Sequence, residues 1–307
     1  MRKNAGVTST RPDDLGPDPA PASASAPAPA QRTRLIATDL DGTLLRDDKS
    51  VSARTVAALG AAEEAGIEVF FVTGRPARWM DVVSDHVHGH GLAICGNGAA
   101  VVDLHGGAGT HSFVKIRAIE RTNALEVVAL LRAAAPGTSF AVERTGGIGH
   151  ELAYPPLHLD PAVTIAPVEK LLAEDSGQAD QPVLKILAHH GELSPDAFLA
   201  LARTAVGDTA NVTRSSPTAL LEISAAGVSK ASTLALCCAE RGIAPHEVVA
   251  FGDMPNDVEM LSWAGTSYAM GNAHPDVITA ASGRTVANNE DGVAVIIERI
   301  LAQRTGA

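Results

Sequence analysis

The chain has 307 residues, 46% of them hydrophobic and 19% charged, a composition that supports a folded core, and its formal net charge of -11 argues against a nucleic-acid partner. Cys95, Cys237 and Cys238 match neither CxxC nor zinc spacing, which points to a reducing, cytoplasmic compartment. No apolar run approaches the roughly 18 residues of a membrane span, and no apolar segment follows the basic start, so neither a membrane partner nor a signal peptide is expected.

Residues 1–31, with the tract GPDPAPASASAPAPAQ, have little to bury and read as a disordered tail. From Arg34 the pattern alternates. RLIATDL reads as a buried strand and SARTVAALGAAEEAG as an amphipathic helix closed by Gly66. IEVFFVTG is a second strand, PARWMDVVSDH a second helix, and GLAICGNGA a third strand. Apolar strands alternating with helices predict an α/β fold, a doubly wound, Rossmann-like parallel sheet. The core's first segment spans 32–98.

Between 99 and 215 the pattern changes to short strands (AAVVDL, SFAVER, VLKILAHH and, at the far end, TALLEIS) mixed with helices (NALEVVALLRAAA, SPDAFLALARTAV). This stretch reads as an inserted α+β domain. The βα rhythm resumes over 216–307 with the helix SKASTLALCCAERG, the strand EVVAFGD, the helix NDVEMLSWAG and the strand TSYAMGN. Nothing in the sequence signals an oligomeric state.

The informative polar residues fall at strand ends, where a parallel sheet places its site. Asp39 and Asp41 close the first strand; in an extended chain their side chains share a face and repel unless a cation, a shared proton or a ligand compensates. Thr73, Gly74 and Arg75 end the second strand. Asp253 ends EVVAFGD, followed by Asn256 and Asp257, and Lys230 opens a helix. Carboxylates suit a hard cation such as Mg2+. A hydroxyl and an ammonium suit a phosphoryl group, with Gly42 and Gly74 letting backbone amides approach it.

DLDGTLL, VTGR, the lysine of GVSK, and GDMPND resemble, in order and spacing, the four motifs of the haloacid dehalogenase-like hydrolases. The insert after the third strand, with ICGNGA and MGNAHPDV, resembles the Cof-type branch. The resemblance spans about residues 33 to 303. It implies a Mg2+-dependent phosphatase acting on a small phosphorylated metabolite, with the insert as a cap. Asp39 would be the nucleophile forming an aspartyl-phosphate, and Asp41 the general acid and then base. Thr73 and Lys230 would hold the phosphoryl group, with Gly42, Gly74, Arg75, Asn97 and Asn256 as further phosphate contacts. Asp39, the Asp41 backbone carbonyl and Asp253 would hold the metal, supported by Asp257. Met254-Pro255 departs from the glycine usual after the fourth-motif aspartate, and proline removes an amide donor there.

Other readings of the same residues are a phosphomutase or phosphotransferase, a DxD glycosyltransferase, and a non-catalytic sugar-phosphate sensor. His86, His88 and His90 read as a solvated loop. GNGAAV lacks the third glycine of a dinucleotide fingerprint, so Asn97 and Gly98 read as the hinge into the insert. Cys237 and Cys238 read as packing residues. Arg144, Lys115 and Lys185 are the charged candidates for substrate choice within the insert.

Overall fold

The computed structural model describes residues 33–84, 91–106, 109, 111–155 and 161–305. The expected tail and the histidines at 86, 88 and 90 lie outside these residues. The chain begins with β1 (Leu35–Thr38), α1 (Ala53–Glu64), β2 (Glu68–Val72), α2 (Asp81–Ser84), β3 (Leu92–Cys95), β4 (Ala100–Asp103) and β5 (Ser112–Ile116). It continues with α3 (Arg121–Ala134), β6 (Ser139–Arg144), β7 (Gly147–His150), β8 (Thr164–Ile165), α4 (Val168–Leu171), β9 (Val183–His189), α5 (Pro195–Val206), β10 (Ala210–Thr213) and β11 (Leu220–Ala225). The last part holds α6 (Lys230–Glu240), β12 (Val248–Gly252), α7 (Val258–Trp263), β13 (Thr266–Ala269), α8 (Pro275–Ala280), β14 (Gly283–Arg284) and α9 (Gly292–Thr305).

Eight strands form one sheet in the order β14-β13-β12-β1-β2-β3-β4-β5. It is parallel from β14 to β3, and β4 and β5 are antiparallel additions. β1 is buried on both faces, as its unbroken apolar run predicts. Ile36 packs with Leu59 of α1 and Ile297 of α9 on one face. Leu35 and Ala37 pack with Leu234 of α6 and Met260 of α7 on the other. Local chemistry sets the helix starts. Ser52 Oγ accepts from Thr55 N at 3.0 Å to start α1, and Ser194 Oγ accepts from Ala197 N at 3.3 Å to start α5.

The other six strands form a second sheet, β10-β11-β9-β6-β7-β8. One face packs on α3 and α5 through Val127, Leu131, Phe198, Phe140, Ile186 and Ile223. The residues alternating with these, among them Glu143, Lys185, Leu187 and Glu222, turn to the opposite face. The register sets Glu143 beside Lys185 and Leu187 beside Glu222.

Sheet membership differs from the expected boundaries at 99 and 215. The first sheet runs on through β4 and β5 to Ile116, and the second runs on through β11 to Ala225. A strand's periodicity states that it pairs, but not with which sheet. Of the expected helix in PARWMDVVSDH, Ala77–Trp79 is a 3-10 turn and Asp81–Ser84 is helical as α2, while residues 85 and 86 lie outside the described residues. No helix among the described residues is long and apolar enough to cross a membrane.

Candidate active site

β1 is flanked by β2 on one side and β12 on the other, so the strand order reverses between β1 and β12. Connections diverge at such a point and leave a crevice at the carboxyl ends of the strands. Asp39 stands one residue past β1 and Asp253 one residue past β12. Both are buried, with Asp257 beside them, and their carboxylates lie within 4.8 Å of one another.

Lys230, 1% exposed, joins this cluster from the first turn of α6. Its Nζ donates to Asp39 Oδ1 at 2.6 Å and to Asp257 Oδ1 at 2.7 Å. Burial alone would lower the lysine's pKa, but Asp257 and Asp39 outweigh it and hold the pKa up. Asp39 is pushed well above the ordinary carboxylate range, first by burial and then by the charges of Asp257 and Asp253, against the pull of Lys230. Burial and Asp257 raise Asp253 to about 7. When ionised, three buried carboxylates against one ammonium carry a net negative charge, which adds to the burial that raises Asp39 and Asp253.

The donor set fits a hard divalent cation, being all oxygen. Among the described residues, no hydrogen bond engages Asp39 Oδ2 or Asp253 Oδ2; Asp253 Oδ1 accepts from Thr43 Oγ1 at 3.0 Å. Asp257 differs. Its Oδ1 is taken by Lys230, and its Oδ2 accepts from the amides of Asp253 and Met254 at 3.1 and 3.0 Å. It braces the loop and the lysine, which matches a supporting role better than ligation. Gly42 is required by the same crowding: its φ is +76°, and a Cβ there would lie 2.2 Å from Asp253 Oδ2. Pro255 opens a helical turn at Pro255–Asp257, a position where no amide donor is needed, so the departure at Met254-Pro255 leaves the loop closed.

A native state whose Asp39 and Asp253 pKa values are raised binds more protons than the unfolded chain between about pH 4 and pH 7. Its metal-free stability therefore falls as pH rises through that window. Mg2+ at about 100 times its dissociation constant is expected to add about 2.7 kcal/mol, several degrees in melting temperature. The increment should be larger at pH 8 than at pH 5. Thermal melts with Mg2+ and with chelator at the two pH values check this; an equal or reversed increment counts against a metal on these carboxylates.

Asp41 is placed apart from the expected pairing. The strand ends at Thr38, so Asp39 and Asp41 are not held on one strand face. Arg75 forks onto Asp41, with Nε donating to Oδ2 at 2.6 Å and Nη2 to Oδ1 at 2.7 Å, and Lys49 Nζ donates to Oδ1 at 2.9 Å. Burial works to raise this carboxyl, but Arg75 and then Lys49 outweigh it and hold the pKa at about 2.

Thr73, Gly74 and Arg75 form a turn after β2. Asn97 N donates to Thr73 O at 3.0 Å, and Gly96 N to Arg75 O at 2.9 Å. Thr73 Oγ1 accepts from Arg75 N at 3.1 Å, which leaves its hydroxyl proton for an acceptor in the cavity. Asn97 itself has φ +57° and is buried. Its Oδ1 accepts from Asn256 Nδ2 at 3.0 Å, and its Nδ2 donates to Glu222 Oε2.

Of the three charged candidates in the insert, one reaches this place. Lys185 Nζ donates to Gly74 O at 2.7 Å and to Glu222 Oε1 at 3.1 Å. Lys115 lies on β5 and pairs with Glu240 of α6. Arg144 turns to the carbonyls of Gln181 and Leu171. The sequence reading passed over Glu222, Glu143, Thr43 and Lys49. Glu222 carried a legible signal, as the lone charge in the strand LLEISA.

The cavity bounded by Asp39, Asp41, Thr73 and Arg75 has a volume of about 260 Å3. Trp79, Leu187, Leu220 and Met254 supply its apolar wall, and Lys185 and Glu222 its polar wall. A larger cleft of about 570 Å3 is lined by Lys230 and Asn256 but by neither Asp39 nor Asp41. Cys95, Cys237 and Cys238 are buried and unbridged. Burial pushes the Cys95 and Cys238 thiols up to about 12, which suits packing rather than nucleophilic attack.

The sequence profile of the haloacid dehalogenase-like hydrolases matches residues 36–297. The 5-amino-6-(5-phospho-D-ribitylamino)uracil phosphatase YitU of Bacillus subtilis is 29% identical over 274 residues, covering 85% of this chain and 94% of its own. The pyridoxal phosphate phosphatase YbhA of Escherichia coli is 28% identical over 273 residues, covering 86% and 97%. A solved haloacid dehalogenase-like hydrolase from B. subtilis superposes with a TM-score of 0.73 at 25% identity, covering 87% of this chain and 99% of that one. Profile, relatives and fold agree with the motif resemblance: this chain belongs to the haloacid dehalogenase-like hydrolases, in their Cof-type phosphatase branch.

Proposed function

We propose that this chain hydrolyses a small phosphorylated metabolite, a sugar phosphate or an ester of similar size, with Mg2+ and through an aspartyl-phosphate on Asp39. One observation carries the reading. Asp39 is buried, held at one oxygen by Lys230, and its other oxygen has no partner among the described residues. That is the disposition of a nucleophile oriented by a fixed cation.

In the first half-reaction an Asp39 oxygen attacks phosphorus and the bond to the leaving oxygen breaks. Asp41, after taking a proton from solvent, passes it to the leaving oxygen. In the second, water attacks phosphorus, Asp41 takes its proton, and Asp39 is released with free phosphate. Arg75 and Lys49 hold Asp41 as a carboxylate, the form that accepts a proton; donating one first requires their withdrawal. Thr73 donates its hydroxyl proton to a phosphoryl oxygen, and Lys230 balances charge on the phosphoryl group and Asp39. Asp39, Asp253 and the Asp41 carbonyl would hold Mg2+, which supplies further positive charge to the phosphoryl oxygens.

The cavity's 260 Å3 is the space of about nine waters at about 30 Å3 each, which favours small esters over phosphoproteins. The relatives' substrates named above, a ribitylaminouracil phosphate and pyridoxal phosphate, are small esters as well. A panel of sugar phosphates, flavin mononucleotide and pyridoxal phosphate, assayed with Mg2+ and with chelator, tests the proposal. The expected result is Mg2+-dependent release of inorganic phosphate from at least one ester. Isomerised product without phosphate would instead indicate a mutase, and no release from any ester would overturn the assignment.

A further inference from the structure

The turn that presents Thr73 has three successive carbonyls, and each is held by a different group. Asn97 N takes that of Thr73 and Gly96 N that of Arg75, both from the turn after β3 in the same sheet. The middle carbonyl, that of Gly74, is taken by Lys185 Nζ at 2.7 Å, and Lys185 stands on β9 of the other sheet. A trans peptide is planar, with its C=O and N–H pointing in opposite directions. The carbonyl that Lys185 holds shares its peptide plane with the amide of Arg75. That amide is the donor to Thr73 Oγ1, at 3.1 Å. Fixing the one end therefore aims the other.

Glu222 of β11 completes the arrangement. It pairs with Lys185 at 3.1 Å and accepts from Asn97, whose Oδ1 in turn accepts from Asn256. Burial disfavours the charge on Glu222, but Lys185 and then the Asn97 hydrogen bond outweigh it, so its pKa is lowered. Gly74 has no side chain where one would meet this group: a Cβ there would lie 3.2 Å from both Asn97 Oδ1 and Glu222 Oε2. Lys185 and Glu222 are 4% and 6% exposed. A buried ion pair contributes little net stability, and an apolar pair of like volume commonly does as well or better. What this pair adds is a set of directed hydrogen bonds to the phosphate turn.

We propose that Lys185 and Glu222 are positioning residues for phosphoryl transfer. From the second sheet they fix the Gly74–Arg75 peptide and the Asn97–Asn256 amides, and through these the Thr73 hydroxyl. The phosphoryl site is then complete only while the two sheets are in contact. The proposal rests on the phosphatase reading of the site.

Positioning and leaving-group recognition make different demands on substrate size. Acetyl phosphate offers almost nothing beyond its phosphoryl group, whereas a hexose phosphate carries a hydroxyl-rich leaving group that the cavity wall could recognise. Lys185→Met keeps the aliphatic stem and removes the donors. It is expected to lower kcat on both esters by a similar factor, at least about 10-fold, the size of effect that a small misplacement of reacting groups produces. Lys185→Arg, which can still donate to a carbonyl, should recover part of that loss. Should Lys185→Met melt far below the wild type, the isosteric Glu222→Gln serves in its place, with a smaller loss of the same kind on both esters. A loss confined to KM for the hexose phosphate overturns the proposal in favour of substrate recognition, and unchanged kcat on both esters overturns it outright. A wild-type chain that releases phosphate from no ester overturns the phosphatase reading, and this proposal with it.

Discussion

Asp39→Asn is expected to reduce phosphate release by at least about 10^3-fold while leaving the fold intact, since loss of a covalent nucleophile can cost up to about 10^6 in kcat. An amide has the shape of the carboxylate and still accepts from Lys230 through its oxygen, so the 2.6 Å contact is kept. What it lacks is the charge that attacks phosphorus. The same change relieves a strain on the native state. Asp39 is buried beside Asp253 and Asp257, and burial and those charges already push its pKa well above the ordinary range. Without metal at pH 8, the Asp39→Asn variant should therefore melt at the wild-type temperature or above it. Phosphate release and thermal melts on one preparation check both parts. Residual activity within about tenfold of the wild type would remove Asp39 from the nucleophile's role, and a melting temperature well below the wild type would mean that its charge is structural.

How much of this site was legible in the sequence depended on where each residue stands. Asp39, Thr73 and Asp253 follow buried, largely apolar strands, and a parallel sheet gathers such ends at one edge. Lys230 was legible through the GVSK motif, with a weaker sign in its place, a cation in the first turn of a helix where the macrodipole disfavours it. Its two carboxylate partners resolve the conflict. The relation of Asp39 to Asp41 was read only in part. Spacing predicts a shared strand face, but β1 ends at Thr38, before either aspartate, and Asp41 turns to Arg75 and Lys49.

The second sheet was harder to read for a physical reason. Strand periodicity reports faces, not partners, so nothing in AAVVDL or TALLEIS says which sheet each one joins. The same limit hid the choice among Lys115, Arg144 and Lys185, since all three are cations on strands or strand ends. The signal that separates them is local. Lys185 in VLKILAH and Glu222 in LLEISA are each the single Lys, Arg, Asp or Glu of an apolar run, whereas Arg144 closes its strand beside Glu143, and burying a lone charge is costly unless a partner lies opposite. The register brings the two strands together, and the two charges find each other.

Lys230→Met should produce the opposite pattern to Asp39→Asn, losing stability as well as activity. The lysine is 1% exposed and holds both Asp39 and Asp257 within 2.7 Å. Removing one member of a buried ionic group leaves the others uncompensated, at a cost of about 3–5 kcal/mol, or on the order of 10 °C in melting temperature for a chain of this size. Its dependence on pH follows from the carboxylates left behind. Their protonation relieves the repulsion, and Asp253 already titrates at about 7, so the deficit should be smaller at pH 5 than at pH 8. Mg2+ should recover part of the deficit at pH 8, because it supplies positive charge to the same oxygens, yet it should not restore phosphate release. Asp257 loses its charged partner but keeps the amides of Asp253 and Met254, so the loop that carries Asp253 should persist. Melts at the two pH values, with and without Mg2+, decide the matter. A variant that melts like the wild type at pH 8 would show that Lys230 does not compensate these charges, and the electrostatic account of the site would fail with it.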